Sequence, residues 1–132
     1  MFKINPLQDL QTLSKQVKWQ YFEKLVGWIF EQNGFEVKVN VVKVKPRRQY
    51  DIVAEKFNKI FLVDCKKWKG GRYKTSSLKK AVEKHLERTG FFQTEKTKIP
   101  IIVTLMDEDI NIHEDVPIVP IDKLNTFLNP ET

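Results

Sequence analysis

A single cysteine, Cys65, stands in 132 residues, which excludes an intramolecular disulfide and any CxxC metal site. No apolar run approaches membrane-spanning length, and nothing at the N-terminus resembles a signal peptide. A soluble cytoplasmic protein with no membrane partner is the expectation. Internal repeats and low-complexity linkers are also missing. The chain therefore reads as one domain over residues 1–132, long enough to bury about 70% of its unfolded surface. Acidic residues are the minority charge, 17 against 23 Lys and Arg, for a net charge of +6. That balance suits an anionic partner such as nucleic acid, although solubility alone also accounts for it. Distribution says more than the total. From Cys65 through Val82 there is no acid, while Lys66, Lys67, Lys69, Arg72, Lys74, Lys79 and Lys80 are all basic. Lys43, Lys45, Arg47 and Arg48 lead into Asp51 in the same way.

Charge is rare where the chain is most apolar. Ile60-Phe61-Leu62-Val63 is a continuous run of the kind found in strands buried on both faces, and Asp64-Cys65-Lys66 closes it. Charge there is costly unless compensated, and a divalent metal would compensate it. Residues 50–55 and 60–66 read as the two strands of a hairpin around Lys56-Phe57-Asn58-Lys59. Side-chain alternation places Asp64 and Lys66 on one face, about 6.6 Å apart along the strand, with Cys65 on the other. An Asn58-Lys59 turn sets Asp51 opposite Lys66, whereas a Phe57-Asn58 turn sets it opposite Asp64. Either register gathers two acids and a lysine, the set that metal-assisted phosphodiester cleavage requires: oxygen ligands for Mg²⁺ and an ammonium to orient water or offset charge.

The surrounding pattern is α/β. Asn5-Pro6 can start a short helix with Leu7, Leu10 and Leu13 on one face. A longer amphipathic helix runs from about Lys15 to Asn33 on Val17, Phe22, Leu25, Val26, Ile29 and Phe30, ended by Gly34. Glu23 lies at the margin of its apolar face beside Trp19 and Phe30, suited to reach a site at the core edge or to remain an ordinary surface group. Phe35, Val37, Val39 and Val41 alternate with polar residues before the phase shifts at Val42, read as a bulge or strand end. After the two acid-bearing strands comes a basic loop at Gly70-Gly71. A helix then carries Leu78, Ala81, Val82, His85 and Leu86, capped by Thr75, Ser76 or Ser77 and ended at Gly90. Ile99 to Leu105 reads as an interior strand, Val116 to Ile121 as a proline-broken edge strand, and Asp122 as the cap of a last helix through Leu128.

Asp51, followed thirteen positions on by Asp64-x-Lys66, resembles the PD-(D/E)xK signature of the restriction-endonuclease-like superfamily. Phe22-Glu23-Lys24-Leu25-Val26 through Gly34-Phe35-Glu36-Val37 is similar to the opening helix and first strand of Mrr-type and archaeal RecB-like nuclease domains, where a helix glutamate joins the metal site. Asp64-Cys65-Lys66-Lys67-Trp68, then Ser76 to Ala81 and Glu87-Arg88, resembles the archaeal RecB-like group, as do the closing strand and helix at residues 116–124. The resemblance spans about Trp19 to Leu128. It implies a restriction-endonuclease-like α/β fold, a mixed central sheet of about five strands flanked by helices on both faces. It also implies that the Cys65 backbone carbonyl can join Asp51, Asp64 and Glu23 as a metal ligand. Three departures stand out. Gln49-Tyr50 replace the proline position, Asp64 stands where the Mrr branch usually has Gln, and residues 106–115 replace a helix the family often inserts. That missing cover can leave a sheet face for a partner or a second subunit.

Other residues read more plainly. His85 shares its face with Leu78 and Val82 and suits a core-edge imidazole. Met106-Asp107-Glu108-Asp109 lacks ligand-loop spacing. Trp68 and Tyr73 can either pack or stack on bases. The expected activity is a Mg²⁺- or Mn²⁺-dependent DNA endonuclease. Asp51 and Asp64 hold the metal, and Glu23 holds a second ion or a water. Lys66 does electrostatic and orienting work. Arg47, Arg48, Lys67, Lys69, Arg72, Lys74, Lys79 and Lys80 take the phosphate backbone of linear, branched or single-stranded DNA. The alternative is a catalytically idle nucleic-acid-binding module of the same fold. An RNA substrate and a homodimer both remain open.

Overall fold

The computed structural model describes residues 19–44, 46–66 and 74–129. In chain order the elements are α1 (Trp19–Gln32), β1 (Glu36–Val44), β2 (Arg47–Lys56), β3 (Lys59–Lys66), α2 (Thr75–Phe91), β4 (Thr97–Thr104), β5 (Ile112–His113), β6 (Val116–Pro120) and α3 (Ile121–Leu128). The strands make one mixed sheet in the order β1-β2-β3-β4-β6-β5. Pairing is antiparallel from β1 to β3, parallel across β3, β4 and β6, and antiparallel again at β5. Helix α2 supplies the crossover between the parallel strands β3 and β4. The leading helix over residues 5–13, the start of α1 before Trp19, and Lys45, Lys67, Trp68, Lys69, Arg72 and Tyr73 lie outside the described residues.

The apolar stripe of α1 forms because Phe22, Leu25, Val26, Ile29 and Phe30 recur at helical spacing, and all five are buried. They pack on Ile52, Ala54, Phe61, Val63 and Cys65 of the sheet, with Ile121 and Leu124 of α3 beside them. Each such side chain contributes roughly 1.5–3 kcal/mol when fully removed from water. Gly34, at φ +86°, ends α1. Its N–H donates to Glu31 O at 3.0 Å and that of Phe35 to Phe30 O at 3.1 Å, the paired bonds of a left-handed helix cap. On the opposite face Leu78 and Val82 of α2 pack on Ile102, Val116 and Ile118, and Tyr50, Val53, Ile60 and Leu62 enclose Phe92. Strand β3 is buried from Ile60 through Cys65, as its unbroken apolar run leads one to expect.

Several boundaries differ from expectation. The sheet has six strands, the addition being the two-residue β5 in the segment 106–115. Glu114 and Asp115, at φ +49° and +64°, form the tight turn into β6. Strand β6 is accordingly flanked by β4 and β5 and is no edge. Helix α2 has Lys74 at its cap position with no side-chain cap bond, and it runs through Gly90 to Phe91. The chain leaves the helix only where Phe92 turns into the core. Pro120 takes the cap position of α3, which leaves Asp122 in the first turn, because β6 passes into the helix without a loop. No described helix is long and apolar enough to cross a membrane.

Candidate active site

Strands β2 and β3 pair with Ile52 opposite Val63 and Lys56 opposite Lys59. The turn is therefore Phe57-Asn58, with Phe57 at φ +54°, and continuing that register sets Asp51 across from Asp64. Backbone pairing ends at Ile52 and Val63, and one step further the Cys65 N–H donates to Asp51 Oδ2 at 2.9 Å. A carboxylate thus receives the amide that a ladder carbonyl would otherwise take. The Asp51 and Asp64 carboxyls lie within hydrogen-bonding reach of each other. Glu23, 3% exposed, is a buried group and no surface glutamate. It acts on Asp51 through its charge and is hydrogen-bonded by the Asn40 side chain.

Crowding of acids sets the electrostatics. Burial, and then the nearby Asp64 and Glu23 charges, push Asp51 up to about 7 against the pull of the Cys65 amide. Burial raises Glu23 as well, and the Asn40 hydrogen bond opposes it. Asp64 behaves in the opposite sense. Burial alone would raise it, but the charge of Lys66, with His85 and Arg88 beside it, holds it below the ordinary carboxylate range. Lys66 Nζ lies 3.0 Å from Asp64 Oδ2 and Arg88 Nη2 lies 3.4 Å from it. Both cations therefore pair with this buried oxygen, and the Lys66 hydrogen bond adds to the pull of its charge. Two neighbouring carboxylates at a strand end, one of them kept charged, suit a divalent cation.

Cys65 is 3% exposed within the α1-side core. Burial and the adjacent carboxylates push its thiol well up, so it is a packed apolar group there and no nucleophile. Its backbone carbonyl, at the same strand end, is the atom that the resemblance assigns to a metal. His85 is fully buried, and its Nε2 donates to Leu62 O at 2.7 Å. Burial pushes it down, and Nδ1 of the neutral ring accepts from Arg88 Nη2 at 3.3 Å. The imidazole braces Arg88 and handles no proton of its own. Tyr50 completes the brace, its hydroxyl donating to Arg88 O at 2.6 Å. The placement of Arg88 on Asp64 was not readable from spacing. Asn40 carried one signal, a weak strand former at the phase shift of β1.

The basic flanks divide. Arg47 and Lys74, Lys79 and Lys80 are exposed. Arg48 is partly engaged, its guanidinium 4.5 Å from the Phe91 ring centroid and 3.7 Å from Glu87. Lys67, Lys69 and Arg72 are outside the described residues. A separate grouping of Glu83, His113 and Glu114 has one ligand atom from each within 4.8 Å of the others. Its His113–Glu83 contact at 3.2 Å joins α2 to β5 at the surface. Glu23, Asp51 and Asp64 do not meet that spacing as a set of three.

Comparison with known proteins agrees with the architecture. The Mrr_cat family model, described as restriction endonuclease, matches residues 14–95. An uncharacterized protein of Archaeoglobus fulgidus is 35% identical over 116 residues, covering 85% of this chain and 90% of the relative. Among solved structures, a protein of unknown function superposes with a TM-score of 0.59 at 18% identity, over 76% of this chain and 56% of that one. A Vibrio cholerae protein gives 0.56 at 19% identity, over 85% and 32%. The small subunit of the heterodimeric restriction endonuclease R.BspD6I gives 0.57 at 13% identity, over 94% and 77%. The chain thus spans about half the length of the first of these structures and a third of the second.

Proposed function

The chain belongs to the Mrr_cat restriction-endonuclease family, and from that membership we propose that it is a divalent-metal-dependent endonuclease hydrolysing phosphodiester bonds in DNA. The observation that carries this reading is the convergence of Asp51 and Asp64 where the β2–β3 ladder ends, with Lys66 Nζ 3.0 Å from Asp64 Oδ2. Asp51, Asp64 and the Cys65 carbonyl would hold a Mg²⁺ or Mn²⁺ ion, with Glu23 serving a second ion or an ordered water. When bound, such an ion supplies Lewis acidity toward water and phosphate.

The chain's own residues supply the rest. Asp64, kept charged by Lys66 and Arg88, is ready to bind a cation without first losing a proton. Asp51 releases its proton only near neutrality, so full assembly of the site favours neutral to alkaline pH. Lys66 orients the attacking water or offsets charge that develops on the phosphate. Arg47, Lys74, Lys79 and Lys80 are free at the surface to meet the backbone of the nucleic acid, with Arg48 partly committed to Phe91 and Glu87. Lys67, Lys69 and Arg72 extend that basic stretch in sequence. A homodimer would allow paired cuts in a duplex.

Incubation of the wild type and Asp64→Ala with linear, single-stranded, flapped and four-way-junction DNA, each with Mg²⁺, Mn²⁺ or chelator, tests the reading. Cleavage by the wild type in metal alone, lost in Asp64→Ala while DNA affinity stays within a few-fold, is the expected result. Binding without cleavage across the whole panel would leave a nucleic-acid-binding module of the same fold.

A further inference from the structure

The alternation of β1 and β2 breaks at one level. On β1, Glu36 and Lys38 face the same cleft as Val41 and Lys43, along with Val53 and Glu55 of β2. Val37 and Val39 approach Gly27 of α1 on the other side. On β2, Ile52 and Ala54 join the α1-side core, whereas Tyr50 and Val53 join the cluster around Phe92. A regular strand repeats its facing every two residues, so each strand changes phase once. The register is the same on both sides of the change, Val39 opposite Ile52 and Val41 opposite Tyr50. The residues between are Asn40 and Asp51, facing each other. Asn40 has φ +54°, a left-handed conformation that asparagine tolerates better than most side chains.

This inversion places the acids. Glu23 comes from α1 on one sheet face, while Asp64 points to the other, where His85 and Arg88 lie. Regular alternation would send Asp51 after Val53 onto the α2 face, away from Glu23. The inverted strand instead leaves Asp51 at the crossing between the two faces, where both acids act on it. The Asn40 side chain works at the same point. Its Oδ1 accepts from Gln49 Nε2 at 3.5 Å, which leaves Nδ2 to donate to Glu23.

We propose that Asn40 is a positioning residue of the acid site: its left-handed backbone inverts both strands at Asp51, and its amide holds the Glu23 carboxylate toward Asp51. The metal arm of its test rests on reading Glu23, Asp51 and Asp64 as a cation-binding set; the amide arm does not. Asn40→Gly keeps the backbone and removes the amide, while Asn40→Ala removes the amide and opposes the backbone. In calorimetric titration of the full chain with Mn²⁺, Asn40→Gly is expected to lose about tenfold in affinity, as loss of a ligand-orienting partner does, with a smaller fall in unfolding temperature than Asn40→Ala. Asn40→Ala is expected to lose both affinity and unfolding temperature. In ¹⁵N spectra the side-chain amide pair of Asn40, identified by its loss in Asn40→Gly, is expected to shift in Glu23→Ala and to stay in place in Glu31→Ala. An Asn40→Gly protein with wild-type Mn²⁺ affinity, or an amide pair indifferent to Glu23→Ala, would overturn the proposal. A wild type that binds no Mn²⁺ would instead overturn the metal reading, and the amide spectra would then decide the role of Asn40 alone.

Discussion

Asp51 is where burial and like charge meet, and its proton links the site to stability. Its carboxyl titrates at about 7 in the folded chain and near 4 in an unfolded one. Between those values the folded state holds a proton that the unfolded state has released. Metal-free stability should therefore fall as pH rises from about 4 to about 7, then level off. Asp51→Asn should flatten that slope, since an amide oxygen can still accept the Cys65 N–H. Thermal unfolding of both proteins in chelator across that range checks it, and parallel profiles would show that Asp51 is not raised. Arg88 gives a second residue-scale expectation. Arg88→Met leaves the buried Nδ1 of His85 without its donor, which should cost about 1–3 kcal/mol in denaturant unfolding. A double-mutant cycle with Asp64→Asn separates that loss from the 3.4 Å contact on Asp64. Additive effects would mean the contact contributes nothing. The proximity of Asp51 and Asp64 was expected from the hairpin, whose Phe57-Asn58 turn was one of the two registers the sequence allowed. Arg88 was not, since nothing in the α2 sequence says which residue of that helix reaches the end of β3.

Elements with a strong apolar period were readable, and those made by backbone geometry were not. The stripe of α1 and the unbroken run of β3 each encode their burial in neighbouring residues. The cap of α1 was legible too, because Gly34 is the residue that a left-handed position favours. Gly34→Ala should cost about 1–2 kcal/mol at φ +86°, read as a lower midpoint in urea with cleavage retained. Loss of cleavage with an unchanged midpoint would place Gly34 in the site and not in the cap. Phe30→Ala, in the centre of the same face, should cost more, about 3–5 kcal/mol. By contrast β5 is two residues long and exists through its turn and its pairing with β6, which leaves almost no periodic trace. A phase shift in β1 was visible but was placed at Val42; Val41 already lies on the Tyr50 and Phe92 side, away from Val37 and Val39, and the unbroken register shows that Asn40 turns the strand over without the extra residue that a bulge inserts.

Across the whole molecule, the proposed function makes the exposed basic side chains the source of affinity for a polyanion. Arg47→Ala, Lys79→Ala and Lys80→Ala should each weaken DNA binding and reduce the slope of log affinity against log salt by about one for each phosphate the native side chain neutralises. Fluorescence anisotropy over a salt series measures both quantities, and unchanged slopes would remove these side chains from the interface. What the sequence by itself determined was the alternation of helices and strands, the buried strand closed by Asp64-Cys65-Lys66, and a family resemblance strong enough to imply the fold. Those features depend on spacing between near neighbours, which a linear pattern records. Only the tertiary structure decided which of two turns pairs Asp51 with Asp64, that Glu23 is buried, that Asn40 inverts two strands, and that Arg88 rests on Asp64. The burial of Glu23 and the reach of Arg88 join residues distant in the chain through helices settled on opposite faces of one sheet, while the turn and the inversion are set by backbone geometry that a linear pattern does not record.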